Sequence, residues 1–324
     1  MKAVILRGIT NSDDIILEEL ETPKATKGWI LVKILAFGMN HSELVLRVNE
    51  IRADYINKPI VPGIECVGIV EDSLDQGFEK GDLVCSLMGG MGRNFNGSYE
   101  EYALLPVSNL FHISPVLEPK YLAAIPETFF TAWGSLFECL DIKPSDILLV
   151  RGATSALGYA SMQIATSLGC KVYGTTHKMG KTHLITSLGC EAIFDPENKL
   201  PDGFYANKVL ELIGPRTIRD SLKHLYRGGI VCNTGILGGE YHLNGFDPIK
   251  EIPNGCYLTG FFSNYPTQET IDRIFAFIAE HNITPFIGTS FKFSDIKQAI
   301  KAQEKGVDGK IVVVMEKDGN SRQK

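Results

Sequence analysis

No apolar run in this 324-residue chain approaches the roughly 18 residues that a membrane-crossing helix needs, and the opening MKAVILRG is too short for the apolar core of a secretory leader. A cytoplasmic protein without a membrane partner is the expectation. Cysteines are solitary: Cys66, Cys85, Cys139, Cys170, Cys190, Cys232 and Cys256 form no C-x-x-C, and their number is odd. That pattern excludes a disulfide framework and a zinc ribbon, and it reads as reduced, buried thiols. Positive charge is short as well. Lysine and arginine total 32 against 38 aspartates and glutamates, for a formal charge of -6 and an isoelectric point near 5.7. A protein built to hold nucleic acid needs the opposite balance.

What is present is the composition of an ordinary globular protein, with 44% hydrophobic and 22% charged residues and no biased tract. The length exceeds one comfortable hydrophobic core, so two domains are expected. From Met1 to about Pro115, β-type runs such as KAVIL, WILVKIL, CVGIV and DLVCSL alternate with glycine, proline and aspartate turns, as in a mostly β domain. From about Val116 to Ile283, runs such as ILLVRG, CKVYGTT, AIFD, KVLELIG and GIVCNTG alternate with helical patterns, the sign of a doubly wound parallel sheet with crossover helices. TSLGC closes two of those helical patterns, so Gly169 and Gly189 read as helix stops. After Pro285 come the β-like FIGTSFKF, a helix from about Ser294 to Lys305 and the strand KIVVVM, which read as a return to the first domain. The expected division is 1–115 with 284–324, and 116–283; disorder is expected only in the tail EKDGNSRQK.

ILLVRGATSALGYASMQIA is a hydrophobic strand, a turn of small residues and a helix. A dinucleotide pyrophosphate needs that order, because small residues admit the backbone and a helix N-terminus presents free N–H groups. A strict G-x-G-x-x-G is absent, the frame reading Ala153, Ser155 and Gly158, while Thr154 and Ser155 add hydroxyls. An α/β protein can also carry small residues there for packing alone. At the end of the next strand, where an NAD enzyme places a carboxylate, stand Thr176, His177 and Lys178, with Lys181 beyond. Hydroxyl and cationic groups accept a 2′-phosphate that a carboxylate would repel, so NADP(H) is expected over NAD. GGMGRNFNG, Gly89 to Gly97, has Phe95 where a last glycine belongs and opens no helix. It reads as a flexible loop that brings Met91 and Arg93 toward a cleft, or as a plain surface loop.

Taken in order, FGMNHSELVLR, PIVPGIECVGIV, FEKGDLV, GSYEEYALLP, FTAWGSLFE, LLVRGATSALG and GKIVVV resemble the medium-chain dehydrogenases and reductases, and within them the zinc-less quinone oxidoreductase group. The resemblance implies a GroES-like β-barrel catalytic domain and a Rossmann dinucleotide domain, with the C-terminus returning to the barrel. It also implies cofactor contacts at Asn40, Thr131, Ala153, Thr154, Ser155, Ala156, Leu157, Thr176, His177, Lys178, Lys181, Gly235, Ile236, Phe261 and Lys310. Zinc-dependent members carry a cysteine where Asn40 stands and a histidine where Ile64 precedes Glu65, and no cysteine lies between Cys85 and Cys139 to build a structural zinc lobe. His41, Glu43, Glu65 and Cys66 are conceivable substitutes, but neighbours on an extended chain point apart.

Without a Lewis acid, substrates that accept hydride readily are expected: quinones and α,β-unsaturated carbonyls, which spread the incoming charge onto an oxygen. Asn40 and Arg93 are candidates to stabilise that oxygen, Met91 and Tyr99 to line the substrate site, and no general acid is identified. Val45 replaces a tyrosine common in the group, and Glu43 an aspartate. A short-chain reductase is excluded by the absence of any Y-x-x-x-K. A zinc-dependent alcohol dehydrogenase with unorthodox ligands and a non-catalytic NADPH-binding protein remain alternatives. The apolar CYLTGFF suggests a sheet edge that pairs in a homodimer, or a core strand.

Overall fold

The computed structural model describes residues 1–74, 76–115 and 117–316. The polar tail for which disorder is expected lies, from residue 317 onward, outside them. Two compact units emerge, Met1–Glu127 with Asn264–Lys324, and Thr128–Ser263. The division thus falls later than 115 and earlier than 283. Hydrophobic periodicity finds a helix without telling which sheet it covers, and the helix Gln268–Glu280 belongs with the first unit. There the Gln268 side chain accepts from His112 N–H and donates to His112 C=O, both at 2.9 Å.

In the first unit the chain lays down β1 (Trp29–Met39), α1 (His41–Val48), β2 (Glu65–Asp72), β3 (Leu83–Leu87), β4 (Tyr102–Pro106) and β5 (Phe111–His112). β1 is eleven residues long because WILVKILAFGM has β-branched and large apolar residues without a breaker until its last turns. Its first half pairs with β4 and its second half is free for another partner. The apolar faces meet in one core that includes Val32, Ile34, Phe37, Cys66, Val70 and Leu105.

The second unit contains β6 (Ile147–Arg151), α2 (Ala156–Ser167), β7 (Lys171–Thr176), β8 (Glu191–Phe194), β9 (Ala206–Glu211), α3 (Pro215–Lys223), β10 (Leu225–Asn233) and β11 (Tyr257–Gly260). All pairings are parallel, in the order β8-β7-β6-β9-β10-β11. This is the Rossmann order, with its switch point beside β6, where such sheets bind ligands beyond the strands' carboxyl ends. Both TSLGC glycines have left-handed backbone, φ +85° at Gly169 and +76° at Gly189, and they follow helices as expected. CYLTGFF is an edge strand, not a core one.

The chain then returns to the first sheet with β12 (Ile287–Lys292), the helix Ile296–Lys305 and β13 (Lys310–Val314). β13 runs antiparallel to β1 with Ile311 opposite Met39 and Val312 opposite Gly38. One step outward, that register sets Lys310 opposite Asn40. Among the described residues no helix is long and apolar enough to cross a membrane.

Candidate active site

At the end of β1 the chain turns into α1 through Asn40, whose backbone N–H donates to Glu43 Oε2 at 2.7 Å, a capping interaction at the helix start. Glu43 Oε1 accepts from Ile64 N–H at 3.1 Å, so this buried carboxyl staples α1 to the segment before β2. Burial pushes its pKa up, opposed by hydrogen bonds and by nearby Lys310 and Arg93. The Asn40 side chain is held at both ends. Lys310 Nζ donates to Oδ1 at 2.6 Å, and Nδ2 donates to Glu65 Oε1 at 2.8 Å. Lys310 and Glu65 themselves pair at 2.5 Å while 2% and 0% exposed, and Glu127 N–H donates to Glu65 Oε2 at 2.8 Å. Gln303 Nε2 donates to the Asn40 carbonyl at 2.5 Å.

Gly38 makes the cluster sterically possible. A Cβ there would stand 2.4 Å from Lys310 Cε, 2.5 Å from Glu65 Oε1 and 2.8 Å from the Ala123 carbonyl. The GK of GKIVVV therefore reaches across a strand position that has no side chain.

The donors conceivable for a metal do not converge. His41 is exposed, Glu43 caps a helix, Glu65 holds Lys310, and Cys66 lies in the apolar core, where burial pushes its thiol up. Among the described residues no group of three or more histidine, cysteine, aspartate and glutamate side chains is arranged to hold a metal ion. This donor set does not fit a tetrahedral zinc.

Other expected substrate residues sit differently from their sequence reading. Met91 and Tyr99 are each 1% exposed, inside the core, with Tyr99 stacked on Phe37 at 4.7 Å between ring centroids. Arg93 pairs with Glu50 at 2.7 Å and donates to Ser42, although its Nη1 is buried with no partner among the described residues. Gly89 to Gly97 is a packed loop and not a loose one: Arg93 and Asn94 N–H groups close onto Gly90 C=O. Its glycines admit backbone rather than phosphate, since a Cβ on Gly97 would lie 2.1 Å from Gly63 O and one on Gly92 2.7 Å from it. Arg47, on α1, is buried against Thr10 C=O and Glu304.

In the second unit β6 ends in Arg151 and the chain turns at Gly152, φ +82°, a conformation that strains any residue with a Cβ. Ser155 caps α2, its Oγ accepting from Gly158 N–H at 3.1 Å. That leaves Ala156 and Leu157 opening the first turn with N–H groups that have no carbonyl one turn back within the helix. Gly158 must lack a side chain, because a Cβ would meet Ala153 O at 2.5 Å. That close approach packs the start of α2 onto the turn, and the N–H groups of Ala156 and Leu157 are the donors that would fit a pyrophosphate. Thr176 closes β7 buried, its Oγ1 accepting from Lys178 N–H at 3.3 Å, while His177 and Lys178 are exposed beyond it. No carboxylate occupies the end of this strand.

The same unit joins Thr131 and the loop after β10. Ser135 Oγ donates to Thr131 C=O at 2.7 Å and lies 2.9 Å from Thr234 Oγ1. Gly235 follows, packed so that a Cβ would lie 2.4 Å from Leu212 O, and Ile236 is half-buried. Phe261 fills the space of the missing side chain at Gly134, where a Cβ would stand 2.0 Å from its Cζ.

Sequence reading missed the groups that brace these elements. Arg151, fully buried, binds Asp220 at 2.6 Å and Asp195 at 3.1 Å. Glu211 at the end of β9 accepts from Ile213 N–H, Gly214 N–H and Ser221 Oγ. An arginine ending an otherwise apolar strand was the available signal for the first.

The family pattern described as Alcohol dehydrogenase GroES-like domain matches residues 26–115, and that described as Zinc-binding dehydrogenase matches residues 156–280. A zinc-type alcohol dehydrogenase-like protein of Schizosaccharomyces pombe is 26% identical, over 94% of this chain and 95% of its own length. A quinone oxidoreductase of Homo sapiens is 25% identical over 88% and 89% respectively. An oxidoreductase of Salmonella enterica, solved in complex with NADP, shares the fold with a TM-score of 0.84 at 20% identity, over 98% of this chain and 100% of its own. With the Rossmann strand order, the GroES-like first unit and these relatives, the chain is an oxidoreductase that belongs to the medium-chain dehydrogenase/reductase superfamily, in its quinone oxidoreductase-like group.

Proposed function

We propose that this protein is an NADPH-dependent, zinc-independent reductase of quinones or α,β-unsaturated carbonyls. The observation that carries the reading is the Asn40, Glu65 and Lys310 cluster: an ammonium already neutralises the buried carboxylate, and an amide stands where zinc-dependent relatives need a thiolate. When bound, the reduced nicotinamide supplies the hydride. The turn from Ala153 to Leu157 would receive the pyrophosphate, and Thr176, His177, Lys178 and Lys181 the 2′-phosphate. Thr131, Gly235, Ile236 and Phe261 complete the proposed cofactor contacts. Asn40 donates its remaining Nδ2 hydrogen to the substrate oxygen that gains charge, and solvent delivers the proton. Such electron-poor substrates need less polarisation than a simple ketone, which suits a site relying on one hydrogen bond.

The name of the human relative and the NADP of the Salmonella neighbour support this choice of substrate and cofactor. We place the protein in the cytoplasm, consistent with seven unpaired cysteines, and as a homodimer paired through β11, whose Tyr257 is 59% exposed. The test is NADPH and NADH oxidation over a panel of quinones, enones and simple ketones. Faster NADPH oxidation with quinones or enones is expected; binding of NADPH without turnover of any acceptor would favour a non-catalytic role.

A further inference from the structure

We propose that Lys310 and Glu65 are positioning residues that set the orientation of the Asn40 amide, so that an N–H and not a carbonyl oxygen is presented to the substrate. The inference rests on the reading of Asn40 given above and adds to it the device that makes the amide a donor. A lysine ammonium has only donors, and an ionised carboxylate only acceptors. The Asn40 atom 2.6 Å from Lys310 Nζ must therefore be oxygen, and the atom 2.8 Å from Glu65 Oε1 must be nitrogen. With the amide turned over, its NH2 would face the ammonium and its oxygen the carboxylate, two repulsive contacts in place of two charge-assisted bonds.

Each partner is itself fixed. Lys310 and Glu65 bond one another inside the protein, and Glu65 takes a further N–H from Glu127. The backbone of Asn40 is pinned separately by Glu43 and Gln303, so only the side-chain amide has freedom that needs settling. Strand register supplies Lys310 from a residue 270 positions away in sequence, and Gly38 leaves the gap it crosses. An oxygen gaining negative charge is stabilised by a donor and repelled by an amide oxygen, so orientation governs turnover more than affinity.

A double-mutant cycle of Lys310→Met and Asn40→Ala tests this, read with 1,4-benzoquinone, NADPH binding and a spectrum of side-chain amides in 15N-labelled protein. Lys310→Met should lower kcat about tenfold or more, with KM and NADPH affinity within about twofold. Added to Asn40→Ala it should cost almost nothing more, because both act through one amide. The Asn40 NH2 signals, identified by their loss in Asn40→Ala, should move or broaden in Lys310→Met. Should that variant fail to fold around an unpaired Glu65, Glu65→Gln/Lys310→Met removes both charges and should show the same loss. Multiplying losses, unchanged Asn40 signals, or weakened NADPH binding with kcat intact would overturn the inference, the last assigning Lys310 to the cofactor. If Asn40→Ala keeps full turnover, the reading of Asn40 falls and this inference with it; multiplying losses with Asn40 essential remove the inference alone.

Discussion

An asparagine carries a carbonyl oxygen and an NH2 group in nearly one shape, so its value in hydride transfer depends on which end meets the substrate. At Asn40 that choice is made by two opposite charges. Asn40→Ala should lower kcat/KM by about 2–4 kcal/mol in transition-state energy, and it should also lower the melting temperature, because buried Lys310 and Glu65 each lose a hydrogen-bond partner; steady-state kinetics beside a melting curve measure both. Lys178 is exposed, so the 2′-phosphate contact proposed for it would be weaker than a buried one. Lys178→Ala should weaken NADPH by about tenfold and leave NADH unchanged in a titration of both. Glu100 offers a different measurement. It is 1% exposed with Oε2 unpaired among the described residues, and burial pushes its pKa well up. Above the ordinary carboxylate pKa the unfolded chain has released a proton that the folded chain keeps. Stability must then fall as pH rises from that value toward the folded one, by at most about 1.4 kcal/mol per pH unit from this group. Denaturant titrations between pH 5 and 8 should show a flatter slope for Glu100→Gln than for the wild type; equal slopes would contradict the assignment.

At the level of elements, a strand followed by small residues and an amphipathic helix identified the β6–α2 turn, because the chemistry of backbone approach is written in consecutive residues. Ser155 shows the same locality. Ser155→Ala removes the cap of α2 and should cost about 1 kcal/mol by denaturant titration. Contacts made across long stretches of sequence were less legible. Asn40 stood out as an amide in a metal-ligand position, while Lys310 was carried by family pattern toward the cofactor and Glu65 was weighed as a metal substitute. Their pairing depends on β13 lying against β1, which no local pattern contains. Gly38, two residues before Asn40 on the same strand face, was the residual clue to a crowded crossing. Gly89 to Gly97 misled in the other direction, since glycine marks close backbone packing as readily as mobility.

For the whole molecule, the two-part organisation was visible as a change from β runs to alternating strands and helices, but the division points were not. Residues 117–127 and 264–283 have turn or helical text that fits either unit, and only their packing assigns them. The exposed edge of β11 predicts a dimer by light scattering at micromolar concentration, and a charge placed on it, as in Leu258→Lys, should shift the species toward monomer. The proposed chemistry itself is tested most directly by NADPH oxidation with 1,4-benzoquinone before and after exhaustive dialysis against a chelator. Turnover that survives unchanged is the predicted result. Activity abolished by the chelator and restored by zinc would contradict the account and return the protein to metal-dependent alcohol oxidation.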